Sequence, residues 1–73
     1  MEKLYRSNLD PQHWFVQIPG TGWVRFPAKI DGWADHRLVT VPSHRQLNRV
    51  PLWLAFRTGL LEAIENRRLD RAA

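Results

Sequence analysis

Trp14, Trp23, Trp33 and Trp53 stand in a chain of 73 residues that has no cysteine, and that pairing narrows how it can be stable. A fold of this length hides only about 60% of the surface its unfolded chain exposes, so residues 1–73 form one domain around one core. Disulfide staples and thiolate metal sites, the usual supports of so small a domain, are excluded, and stability must come from packing large side chains. Four indoles still exceed what one small core needs. Some of them are therefore expected to face a partner.

Residues 1–12 are expected to form an irregular arm, because Ser7-Asn8-Leu9-Asp10-Pro11 strings turn-formers together with no apolar period behind them. A β-meander is expected over 13–42. His13–Ile18 and Trp23–Phe26 are aromatic and β-branched, and Pro19-Gly20-Thr21-Gly22 between them reads as a hairpin turn. Pro27 has no N–H for a ladder bond and should end the second strand or lie on an edge. Asp31-Gly32 marks another turn, and His36–Val41 reads as a third strand stopped by Pro42.

The segment 43–69 is expected to be helical. Ser43 and Gln46 have the spacing of a capping box, which predicts a short helical turn from His44 to Asn48. Val50, biased towards extended backbone by Pro51, should break it, and Pro51 suits the first position of a longer helix. From Leu52 to Arg68, the residues Leu52, Trp53, Phe56, Leu60, Ala63 and Ile64 fall within about a third of a 3.6-residue helix, a stripe expected to cover the sheet. Gly59 interrupts this helix at a cost of about 1 kcal/mol relative to alanine. Residues 70–73 should fray. The fold class is therefore α+β, a small three-stranded antiparallel sheet followed by a short helical turn and a C-terminal helix packed on it.

Alternation along the strands says which residues remain for recognition. With Trp14, Val16 and Ile18 facing the helix, Phe15 and Gln17 face away; Val24 and Phe26 point inward, and Trp23 and Arg25 outward. A register shifted by one residue would instead place Trp23 in the core. Tryptophan and arginine dominate the energetic centres of protein interfaces, and they also stack on unpaired nucleobases, so residue type does not separate the two uses.

Charge marks a second surface. The net charge is +4, with five Lys/Arg against four acids over residues 1–42 and six against three over residues 43–73. No acid lies between Asp35 and Glu62, whereas Arg37, Arg45, Arg49 and Arg57 fall there with His36 and His44, which predicts a positive potential. Leu54 and Leu61 flank Arg57 outside the core stripe, giving a mixed apolar and basic patch that suits a protein groove. Duplex binders concentrate more charge, and the order of helices over 43–68 matches a helix-turn-helix only loosely, without its turn glycine.

Catalytic patterns are missing. His13, His36 and His44 with Asp10, Asp31 and Asp35 form no recognised constellation, and Asp35 and His36, adjacent in a strand, would point to opposite faces. The spacing from His36 to His44 fits no zinc motif. Gly20-Thr21-Gly22 is followed by no Gly-Lys-Ser/Thr, which discards a phosphate cradle. A binding module without catalytic residues, cofactor, metal or small-molecule substrate is the expectation. No apolar run approaches the roughly 20 residues of a membrane span, and Met1–Arg6 has no apolar signal region, so a cytoplasmic location is expected.

In its compact Trp14–Ile18 and Trp23–Phe26 hairpin, its arginine-rich, tryptophan-containing composition and its Ser43–Arg68 helical end, the whole chain resembles the small phage-encoded regulators of host bacterial RNA polymerase, the transcription inhibitor and antiterminator type found in Xanthomonas phage. The resemblance implies a non-enzymatic protein, cytoplasmic in the host cell, that binds the N-terminal part of the polymerase beta-prime subunit. It further implies inhibition of sigma-dependent initiation and passage of the elongating enzyme through terminators. No contact residue comes with the resemblance. The candidate partner contacts drawn from strands and helix are Phe15, Trp23 and Arg25 on the sheet face, and Arg45, Arg49, Leu54, Arg57 and Leu61 on the basic face. The alternative is a small basic DNA- or RNA-binding protein using the same aromatic and arginine residues. A virion assembly component, a third reading, would self-associate.

Overall fold

A computed structural model describes residues 2–42 and 45–72, the side chains of 67–72 excepted. The fold is α+β, but its antiparallel sheet has five strands where three were expected: β1 (Lys3–Ser7), β2 (Asp10–Ile18), β3 (Gly22–Pro27), β4 (Arg37–Val39) and β5 (Asn48–Val50), in the order β4-β3-β2-β1-β5.

The expected arm is the first correction, because residues 3–7 form an inner strand. Leu4 is opposite Val16 on one side and Val50 on the other, and it is fully buried. The turn-formers that suggested an arm are a hairpin tip: Asn8 and Leu9 link Ser7 to Asp10, and the Leu9 N–H donates to Ser7 Oγ at 3.2 Å. Polar, turn-rich sequence marks a hairpin end as well as a loose arm, and only the partner strand distinguishes them.

The short helical turn is the second correction. Ser43 and His44, the start of the expected capping box, lie outside the described residues. Residues 45–47 have no regular structure, and Asn48–Val50 forms β5 along β1, with Tyr5 opposite Arg49 and Arg6 opposite Asn48. An inner strand needs a neighbour on each side to pair its backbone, and the extended bias of Val50 before Pro51 supplies one.

The third correction concerns the helix expected from Leu52. Leu52–Thr58 is instead a 3-10 segment, Gly59 reverses the backbone at φ 89°, and α1 runs over Leu60–Ala72. A 3-10 segment has about three residues per turn, so its inward positions recur every third residue. Leu52, Ala55 and Thr58 accordingly turn towards the sheet, while Trp53 is left 65% exposed and Phe56 59% exposed. The sequence stripe assumed a period of about 3.6 and placed both rings in the core. Leu60 and Ile64 of that stripe are buried as expected. The Thr58 hydroxyl, buried at the junction, donates to the Ala55 carbonyl and accepts from the Leu60 N–H, which joins the two helical pieces.

The core lies between these layers. Leu4, Val16, Ile18, Val24, Phe26 and Val50 of the inner sheet face pack with Ala55, Leu60 and Ile64. Burying one such large aliphatic or aromatic side chain contributes about 1.5–3 kcal/mol. Trp14 and Trp33 close the margin by meeting Phe26 edge-on at centroid distances of 6.2 and 5.3 Å. Trp33 is carried by a 3-10 turn, Gly32–Asp35, whose approach to β3 requires glycine: a Cβ on Gly32 would lie 1.9 Å from the Pro27 carbonyl oxygen. The Asp31 N–H donates to the Arg57 carbonyl at 3.0 Å and ties this loop to the 3-10 segment Leu52–Thr58.

The third expected strand is shorter than His36–Val41 and begins at Arg37. His36 is held back by Trp33, whose indole stacks on its imidazole at 4.2 Å and whose carbonyl lies 2.8 Å from its Nδ1. Among the described residues no helix is long and apolar enough to cross a membrane.

Candidate functional site

The strand register builds the outer sheet face row by row. Arg37 is opposite Arg25, Arg25 opposite Phe15, Phe15 opposite Tyr5 and Tyr5 opposite Arg49, one row through all five strands. The next row on that face runs Val39, Trp23, Gln17, Lys3. The intervening residues Leu4, Val16, Val24 and Val50 are buried in the core, so the side-chain period of two fixes these rows as outward. Trp23 therefore lies on the outer face, and the shifted register does not occur.

The rings on this face are organised in contact with one another and with guanidinium groups. Tyr5 and Trp23 meet diagonally across β2 at 5.3 Å and 56°. Arg49 Cζ lies 5.7 Å from the Tyr5 ring centroid, and Arg45 Cζ lies 5.9 Å from that of Phe15. Beneath this cover Phe15 is only 2% exposed, while Tyr5 and Trp23 remain half-buried with surface to offer. Each such cation–π contact is worth about 0.5–1 kcal/mol at an exposed site, enough to preset arginine positions without fixing them rigidly.

Phe15, Trp23, Arg25, Arg45 and Arg49 are thus brought together on one face. Arg45 and Arg49 were expected beside Arg57; instead β5 carries Arg49, and the irregular segment before it carries Arg45, to the opposite layer. Leu54, Arg57 and Leu61 belong to the helical layer, where Leu54 and Arg57 are exposed and Leu61 is half-buried. Trp53 and Phe56, three residues apart in a 3-10 segment, form a ridge on that layer, and Arg57 Cζ lies 5.5 Å from the Phe56 ring. Sequence reasoning missed Lys3 and Tyr5 because it placed them in an arm, and missed the ridge because it assumed α-helical spacing. Reading Asn8-Leu9 as a two-residue hairpin tip would have recovered the first pair.

Ionisable groups elsewhere make local contacts. His13 Nδ1 lies 2.8 Å from Asp10 Oδ1, at the end of β2. Among the described residues no three His, Cys, Asp or Glu side chains gather as a metal-ligand set. No family model, no curated protein and no solved structure matches the chain.

Proposed function

We propose that this chain is a non-enzymatic phage transcription regulator that binds host bacterial RNA polymerase, at the N-terminal region of the beta-prime subunit. It inhibits sigma-dependent initiation and promotes antitermination. The observation that supports a protein partner is the Trp53–Phe56 ridge, two large rings left mostly in solvent. Apolar patches exposed in this way mark interaction sites, and tryptophan beside arginine is the composition of interface hot spots. Leu54 and Arg57 border the ridge, so the surface has an apolar centre and a polar margin, as protein interfaces do. The choice of polymerase as the partner rests on the resemblance of the whole chain to phage-encoded regulators.

Transcription by purified polymerase from a sigma-dependent promoter, on a template with a downstream terminator, tests this function. Added protein should lower initiation and, supplied after promoter escape, raise read-through. Trp53→Ala and Phe56→Ala should weaken both effects while leaving the far-UV circular dichroism unchanged. Polymerase indifferent to excess protein, or folded ridge variants as active as the wild type, would contradict it.

A further inference from the structure

We propose that the outer sheet face is a second binding site, separate from the Trp53–Phe56 ridge, and that its ligand is single-stranded nucleic acid. The charge on this face points to an anion. Lys3, Arg25, Arg37 and Arg49 project from the outward rows, Arg45 reaches over Phe15, and no carboxylate occupies a position in those rows. Arg25 and Arg37 are directly opposite each other, and like charges so placed weaken a sheet. A phosphate between them removes the repulsion and makes both charges favourable.

The rings identify which anion. Tyr5 and Trp23 are half-buried and present part of their surface beside these cations, the combination on which successive bases stack while the backbone follows a positive track. An acidic peptide carries the charge but has no flat base to lay on them. Duplex DNA is read by a helix or ribbon that enters its major groove, about 12 Å wide, and a five-stranded face is too broad to do so. Five strands spaced about 4.8 Å apart carry the Arg37-to-Arg49 row across roughly 19 Å, room for a few nucleotides. The helical layer packs against the inner face, so this site and the ridge lie on opposite sides of the sheet and can be filled together.

Fluorescence anisotropy with labelled 12-nucleotide oligo-dT and oligo-rU, over about 50–200 mM KCl, tests the proposal. Binding of either strand is expected, with a log–log salt slope of roughly −2 to −3.5 if three to five phosphates are neutralised. Arg25→Gln and Arg37→Gln should each flatten the slope by about 0.7. Trp23→Ala should weaken binding about tenfold through lost stacking. If it fails to fold, the two arginine variants carry the test. Trp53→Ala should bind strands like the wild type. No binding of either strand at the lowest salt would overturn the proposal. So would an unchanged slope in both folded arginine variants, competition by duplex DNA or polyglutamate as strong as by the strand itself, or loss of strand binding in folded Trp53→Ala.

Discussion

Arg25 on β3 and Arg37 on β4 face each other directly across the sheet, two cations paired where the next residue in line, Phe15, is apolar. Cross-strand pairs contribute about 0.2–1 kcal/mol when their chemistry is complementary, and like charges subtract. The pair is thus a local cost in a domain with little stability to spare. Replacing one cation should stabilise the free protein: Arg37→Glu is expected to raise the stability by about 0.5 kcal/mol, measured as an increased urea midpoint at unchanged m-value. The same change should weaken strand binding by more than Arg37→Gln does. A lower midpoint would show that Arg37 is already compensated within the fold.

Gly59 makes the turn between the 3-10 segment and α1 at φ 89°, where an L-residue is strained, although a Cβ would meet nothing closer than Trp33 Cβ at 3.6 Å. Gly59→Ala should therefore cost about 1–2 kcal/mol through backbone conformation alone. Gly32→Ala should cost more, because its Cβ would collide with the Pro27 carbonyl, a backbone atom that cannot move aside. Urea unfolding of the two variants should rank them in that order, and a Gly32→Ala variant as stable as the wild type would refute the close approach.

Thr58 is a buried hydroxyl with both of its hydrogen-bonding roles filled. Thr58→Val keeps the shape but leaves the Ala55 carbonyl and the Leu60 N–H without that partner, and it should cost about 1–3 kcal/mol. Thr58→Ser, which restores the hydroxyl, should recover most of this. Equal melting temperatures for the valine and serine variants would place the role of Thr58 in packing instead.

Trp53 and Leu60 share one apolar stripe in the sequence but have opposite environments in the fold, the first mostly exposed and the second fully buried. Leu60→Ala should cost about 2–5 kcal/mol as a core truncation, and Trp53→Ala about 0.5 kcal/mol or less as a surface change. Thermal melts of the two variants decide this, and comparable losses would return Trp53 to the core.

Much of this architecture was legible in the residues. The Trp14–Ile18 and Trp23–Phe26 hairpin, its inward Val16, Ile18, Val24 and Phe26, and the outward Trp23 and Arg25 followed from alternation, since a half-buried strand shows its period directly. Two strands did not. Lys3–Ser7 is short, and Asn48–Val50 has only Val50 facing the core, so neither shows a period of its own; each is extended because of its neighbour. Leu52–Thr58 failed for a different reason. Its apolar residues are dense enough to satisfy a period of either about 3.0 or about 3.6, and only the Gly59 break and the packed Ala55 and Thr58 select the first. Of the residues singled out, Arg45 and Arg49 were assigned to the helical layer, because the strand β5, which carries Arg49 along β1, was not foreseen.

The polymerase-binding claim is tested most directly by capture with the full chain, tagged, from bacterial lysate digested with nuclease, followed by binding of the purified beta-prime N-terminal region. Wild-type protein should recover polymerase after digestion and bind that region directly, and folded Trp53→Ala should do neither. Absence of polymerase from the capture, its loss on nuclease treatment, or undiminished binding by Trp53→Ala would contradict a polymerase regulator acting through the Trp53–Phe56 ridge.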